Sequence, residues 1–409
     1  MVAKAPRRGG RVIERVPIVR TSLGDEEIAA VTRVIRSGWI TQGPEVASLE
    51  SEFASAVGAA HAVAVSNCTV ALQLALIAVG VTQGDDVVTV SHSFVATANS
   101  VVAAGARPVF VDVRRETLGM DPERIEAALT PQTKVILCVH QIGIPSDLEA
   151  ILAIADRHRL PVIEDAACAI GSELLWKGRW ERIGRPHGLV ACFSFHPRKI
   201  VTTGDGGMLT TADEALAARF RLLRQHAMSI PDTVRHHAAA VVFEDYIEPA
   251  FNFRMTDLQA AIGRPQLARL DDLVAERRRL AGRYNDFFRD HALFAPLVEE
   301  HWARSNWQSY PVFLREGAGI LQIEAMQYLL DHQIACKRGI GNAHQEIAYA
   351  GTSLWACGND PCSPGHLAQS EWLRDNTILL PLFHGMTADE QDRVMQACAG
   401  LTLATESAR

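Results

Sequence analysis

The sequence predicts an α/β fold: a three-layer sandwich on a mostly parallel sheet, followed by a smaller α+β C-terminal unit. Two observations carry this. From about residue 25 to 275, short apolar β-type runs alternate with stretches of helical periodicity. The runs are apolar throughout rather than every second residue, as a parallel sheet covered on both faces requires. A third observation sets the number of units: 409 residues suggest two or three domains at roughly 100–200 residues each.

The elements follow in order. Asp25 can cap a helix whose apolar residues Ile28, Val31, Val34 and Ile35 recur at helical spacing, and Gly38 ends it. A second helix places Val46, Leu49, Phe53 and Val57 on one face. Strands are expected at 62–65 and 87–90, with a helix over about 69–78 between them, then at 108–113, 134–139, 160–163, 189–195 and 207–211. Asp121 and Asp147 supply further helix caps. Residues 265–292 read as one long connecting helix through Leu267, Leu270, Leu273, Val274, Arg277 and Leu280. Beyond it come a strand at 310–313 and helices at 323–332 and 387–401. The expected organisation is a flexible basic arm (1–20), a large cofactor-binding domain (21–265), and a connecting helix with a small C-terminal domain (266–409).

Composition narrows the function class. With 48% hydrophobic and 21% charged residues the chain is an ordinary globular one, and a net charge of -7 gives no general source of phosphate neutralisation. Neither a nucleic acid nor a membrane is an expected partner. The one basic stretch holds Lys4, Arg7, Arg8, Arg11, Arg15 and Arg20 against Glu14. It reads as a solvated arm or as a weak contact to phosphates. No apolar run approaches the ~20 residues that span a bilayer, and a cytoplasmic location is expected. Eight cysteines are scattered without a CxxC pair; only Cys357 and Cys362 are near neighbours, so no metal site is expected and a reducing compartment fits.

In a parallel sheet, ligands bind beyond the carboxyl ends of the strands. One strand ends in Glu164-Asp165-Ala166-Ala167, where small residues would let a flat ring approach and a carboxylate could meet a ring nitrogen; an Asp there serves equally as a helix cap. The next runs into Ser194-Phe195-His196-Pro197-Arg198-Lys199, then Thr202-Thr203-Gly204-Asp205-Gly206-Gly207. A Lys in such surroundings can act as a nucleophile toward carbonyls. Asp165 with Lys199 is the pair pyridoxal phosphate chemistry needs: an amine to hold the aldehyde and a carboxylate to keep the pyridine nitrogen protonated. Ser66-Asn67-Cys68-Thr69 precedes a helix and offers N–H groups to a phosphate, although a plain Thr69 cap would look the same.

These residues, with Phe94-Val95-Ala96-Thr97, Phe251-Asn252-Phe253-Arg254-Met255 and Leu380-Pro381-Leu382, resemble the DegT/DnrJ/StrS family of sugar aminotransferases, and the likeness runs from about Arg20 to the final helix. The resemblance implies fold type I of the pyridoxal phosphate enzymes, with Lys199 as the Schiff-base lysine and proton shuttle and Asp165 as partner of the pyridine nitrogen. It implies Phe94 and Ala167 on opposite faces of the ring, and Ser194, Cys68 and Thr69 at the phosphate. Asn252 would reach the phosphate of the neighbouring subunit, so a homodimer with shared sites is implied. Cys68 stands where many relatives have Gly, and Cys168 where a Gln or His often contacts the cofactor's phenolic oxygen. Trp39, His196, Arg338 and His344 are the candidate substrate-side residues; surface or core roles remain open for Trp39, Arg338 and His344. The implied reaction moves an amino group from an amino acid, by analogy glutamate, through pyridoxamine 5'-phosphate to a nucleotide-linked keto sugar, a 4-keto-6-deoxyhexose. A cyclitol ketone as acceptor, or a non-catalytic sensor on the same fold, are the alternatives.

Overall fold

Residues 7–8, 11–12, 14–230, 235, 240–358 and 365–407 are described in the computed structural model of the chain; Lys4 and Cys362 lie outside them. Seven strands form the central sheet: β1 (His61–Val65), β2 (Asp86–Val90), β3 (Arg107–Val111), β4 (Thr133–Val139), β5 (Val162–Asp165), β6 (Val190–Ser194) and β7 (Gly207–Thr211). Their order is β1-β7-β6-β5-β4-β2-β3. All run in one direction except β7, which lies antiparallel between β1 and β6.

Side-chain alternation divides each strand between two apolar layers. Ala62, Ala64, Val88, Val90, Ile136 and Cys138 join one buried cluster; Val63, Val65, Val87, Val135 and Leu137 join the other. The second layer is closed by α3 (Cys68–Ala78), α4 (Ala96–Ala103) and α6 (Glu214–Leu223), through Leu72, Leu76, Val101 and Phe220. The first is closed by α2 (Pro44–Val57), α5 (Leu148–His158), α7 (Asp257–Ala268) and α8 (Leu270–Phe288). The sheet is therefore buried on both faces, and its strands carry no polar face for a sequence pattern to show.

Three local expectations change. Helix α1 (Asp25–Ser37) is capped by Gly24 rather than Asp25, which is its first residue; the Gly24 N–H donates to Glu27 Oε2 at 2.6 Å. Ala30 and Val34 of α1 pack on Ala261 of α7, leaving Ile28 and Ile35 exposed. The expected connecting helix is two, since the backbone leaves helical geometry at Arg269 between α7 and α8. The antiparallel direction of β7 and the hairpin Glu173–Trp176/Arg179–Arg182, which pairs with Ala303–Arg304, were not predicted; short strands have too little pattern to read.

A four-stranded antiparallel sheet forms the C-terminal unit: β8 (Phe294–Pro296), β9 (Tyr310–Leu314), β10 (Lys337–Arg338) and β11 (Thr377–Leu380), in the order β8-β9-β11-β10. Helices α9 (Gln322–Asp331), α10 (Ala368–Asn376) and α11 (Ala388–Ser407) accompany it. Within the expected basic arm, Val16 is 1% exposed and bonds by both backbone groups to this unit, its N–H to Gln333 O and its carbonyl to the Ala335 N–H, each at 2.9 Å. Among the described residues no helix is long and apolar enough to cross a membrane.

Arg277 of α8 ties the two units together. It is 5% exposed, and its guanidinium donates to the carbonyls of Trp307 (3.0 Å), Gln308 (2.8 Å) and Leu382 (3.1 Å). Burial pushes its pKa down to about 10, still well above neutral, so the group stays charged. Arg277→Met leaves three carbonyls short of a donor, and unsatisfied buried groups cost about 1–3 kcal/mol each. Urea unfolding should show a stability loss on the order of 3 kcal/mol; an unchanged midpoint would remove Arg277 from this role.

Candidate active site

The carboxyl ends of β1, β2, β4, β5 and β6 open into one cavity of about 860 Å³. The C-terminal unit contributes Lys337, Gly339 and Leu380 to its wall, and the N-terminal stretch contributes Ile18 and Val19.

Asp165 ends the central strand β5 and is 5% exposed. Its Oδ2 accepts from Thr97 Oγ1 at 2.8 Å, and its Oδ1 from the Ala167 N–H at 3.1 Å. The Thr97 hydroxyl, spent on Asp165, lies 2.7 Å from Ser93 Oγ. Burial raises the Asp165 pKa, opposed by the Thr97 and Ala167 hydrogen bonds and by the charge of Lys199. A cationic N–H from a bound ring would relieve the same desolvation cost. Beside it, Glu164 is fully buried and bonds His140 Nε2 at 3.0 Å, while His140 Nδ1 accepts the Ser146 N–H.

Lys199 lies in the loop joining β6 to β7, and its Nζ donates to Cys168 Sγ at 2.9 Å. The loop is held at both ends. The Phe195 N–H donates to Gly206 O at 2.8 Å, and the buried Gln266 side chain of α7 bonds both the N–H and the carbonyl of Thr202.

Asn67, and not Thr69, caps α3: its side chain accepts the Val70 N–H at 3.0 Å. The N–H groups of Cys68 and Thr69 thus have no partner among the described residues and remain for an anion. Cys68 has ordinary right-handed helical backbone. Gly207 makes the approach possible, because a Cβ there would lie 2.5 Å from the Asn67 carbonyl.

Of the sequence-predicted residues, the structure brings Cys68, Thr69, Phe94, Asp165, Ala167, Cys168, Ser194, His196 and Lys199 to the cavity wall. Phe94 is 68% exposed, its ring free for a ligand face. Four others do not line the cavity of their own chain. Asn252 is exposed elsewhere. Trp39 turns its Nε1 to Gln42 O at 3.1 Å. His344 is held between Ser91 Oγ at 2.6 Å and Glu371 Oε1 at 3.3 Å. Arg338 follows Lys337 on β10, and strand alternation turns it away from the face Lys337 presents.

Thr97, Gln266 and Asn306 were missed. Thr97 is one helical turn past Phe94, but nothing in the sequence ties it to a carboxylate 68 residues on. Asn306 donates to the Cys168 and Ile170 carbonyls, each at 2.8 Å, and so sets the course of the chain after Asp165.

The donor set fits pyridoxal phosphate: a buried carboxylate, an amine, an exposed aromatic ring and a helix start with free N–H groups. Residues 21–399 match the model of the DegT/DnrJ/EryC1/StrS aminotransferase family. The chain is 38% identical over 378 residues to the spore coat polysaccharide biosynthesis protein SpsC of Bacillus subtilis (strain 168), covering 92% of this chain and 94% of SpsC. It superposes on DesV of S. venezuelae, solved in complex with a ketimine intermediate, with a TM-score of 0.83 at 30% identity, covering 95% and 99% of the two chains. DesI, solved in the presence of its TDP-sugar product, gives a TM-score of 0.81 at 25% identity over 97% and 96%. The fold is that of the type I pyridoxal phosphate-dependent aminotransferases, and the chain belongs to the DegT/DnrJ/EryC1/StrS aminotransferase family as a pyridoxal phosphate-dependent aminotransferase.

Proposed function

We propose that the protein moves an amino group from glutamate to a nucleotide-linked keto sugar, a 4-keto-6-deoxyhexose, at a site where Lys199 and Asp165 are the catalytic residues. The observation that carries this reading is the convergence of Lys199 Nζ and the buried Asp165 carboxylate on one cavity. The acceptor class rests on the polysaccharide role named for SpsC, the TDP-sugar named for DesI, and the cations Arg198 and Lys337 on the cavity wall, suited to a diphosphate.

Bound pyridoxal phosphate supplies an aldehyde that carries the amino group and a ring that accepts electrons. Lys199 Nζ would hold the aldehyde carbon and would take and return the proton at the substrate carbon. Asp165 would hold a proton on the ring nitrogen, and the Thr97 hydroxyl donates to that carboxylate and fixes its direction. Phe94 would cover one ring face and Ala167 the other. Ser194 and the N–H groups of Cys68 and Thr69 bind the phosphate.

In this reading residues 21–265 form the cofactor-binding domain, residues 266–409 close the substrate side, and the working unit is a homodimer. Asn252, absent from its own chain's cavity, serves the partner's phosphate. Val241, Phe243, Tyr246 and Ile247, exposed in one chain, lie just before it in sequence.

Lys199→Ala should lower turnover by roughly 10²–10⁴-fold, the usual size of a general acid–base contribution, read as amino-sugar mass from glutamate and a panel of nucleotide-linked keto sugars. Full turnover in that variant would sink the assignment. Thr97→Val removes a hydrogen bond that favours the Asp165 carboxylate, so the acid limb of the activity profile should move to higher pH. Mixing Lys199→Ala with Asn252→Ala subunits should regain activity that neither has alone; a mixture as inactive as its parents would place Asn252 outside the partner's site.

A further inference from the structure

Among the described residues the Lys199 amine donates its one hydrogen bond to Cys168, with Nζ and Sγ 2.9 Å apart, close to the separation at which nitrogen can attack sulfur. Both residues are held there. Asn306 grips the Cys168 carbonyl at 2.8 Å, and the Lys199 N–H donates to His196 O at 2.8 Å. Both line the open cavity, so a small oxidant can reach the pair. The remaining free thiols differ: Cys138, Cys192 and Cys398 are fully buried, Cys336 donates to Met326 O, and Cys68, although on the cavity wall, has no hydrogen bond to Lys199.

We propose that Cys168 is a modification site, and that a peroxide converts the Cys168–Lys199 pair into an S–N cross-link when no cofactor occupies the amine. In the first step the peroxide O–O bond breaks; one oxygen bonds to Cys168 sulfur as a sulfenic acid and the other leaves as water. In the second, the Lys199 Nζ lone pair attacks that sulfur, the S–O bond breaks, and the hydroxyl departs as water with a proton from the amine. Thiol and amine together lose two hydrogens, sulfur is oxidised and the peroxide is reduced to two waters. A small thiol reverses the bond by attacking sulfur and returning the proton to the amine; a second thiol equivalent frees Cys168. While the bond stands, Lys199 cannot hold an aldehyde. The cross-link itself rests on the contact alone, whereas its effect on cofactor loading rests on the reading of Lys199 given above.

The test treats the full-length protein, stripped of cofactor or loaded, with equimolar hydrogen peroxide, followed by intact mass and peptide mapping. The stripped protein should lose two hydrogens, yield a peptide joining Cys168 to Lys199, and fail to regain the visible cofactor band in proportion to the cross-linked fraction. Dithiothreitol should restore it, and Cys168→Ser should not cross-link and should take up the same amount of cofactor with and without peroxide treatment. Recovery of Cys168 as a sulfenic or sulfinic acid beside an unmodified Lys199 would overturn the proposal, as would a Cys68–Cys168 disulfide, which has the same mass but a different peptide. Equal cross-linking of the loaded protein would overturn the cofactor-dependent gating and count against Lys199 as the aldehyde-bearing residue, leaving the S–N bond as chemistry of the pair.

Discussion

Burying one carboxylate, Asp165, is the constraint around which the site is arranged. Removing such a charge from water costs several kcal/mol even after relaxation. The protein offsets part of this with one hydroxyl and one backbone N–H, yet burial still leaves the carboxyl pKa above its ordinary value. The deficit gives the site its selectivity, since the carboxylate is fully stabilised only by a cationic N–H donor of the right shape. Other features serve the geometry of that encounter. β5 occupies the middle of the sheet, where helices on both faces exclude water, and Ala166 and Ala167 leave room for a ring beside it.

Much of the fold was legible because a parallel sheet covered on both faces writes itself as unbroken apolar runs, here Ala62–Val65 and Val87–Val90 inside β1 and β2. Asp165 and Lys199 were legible for a related reason: each follows such a run, and strand ends are where a parallel sheet exposes chemistry. Direction was less readable. β7 is as buried as its neighbours, and nothing in Gly207–Thr211 reveals that it runs the other way.

What the sequence withheld are contacts between distant segments. Thr97 and Asp165, Gln266 and Thr202, Asn306 and Cys168 are each joined by a side chain whose partner lies in another element. A polar residue at the start of a helix reads as a cap or a surface group, and only the packed structure shows that it has been enlisted elsewhere. The substrate-side residues failed for the converse reason. Arg338 and His344 have the chemistry for an anion, but strand alternation turns one away and Ser91 with Glu371 engages the other. Cys357 is disulfide-bonded, which the scattered cysteines did not suggest.

The reversed strand has a mechanical consequence. A parallel successor to β6 would need a crossover carrying the chain to the far edge of the sheet and back. Because β7 is antiparallel, the chain leaves β6 and re-enters the sheet at the same rim, and Lys199 rides on a tether whose two ends lie in the central sheet. The loop is also tied outward, by Gln266 of α7 to Thr202 and by Gln308 of the C-terminal unit, whose Nε2 donates to the Arg198 carbonyl at 2.8 Å. The amine therefore sits where sheet, helix layer and C-terminal unit meet, and a shift of that unit against the sheet would be felt one residue from the reacting nitrogen.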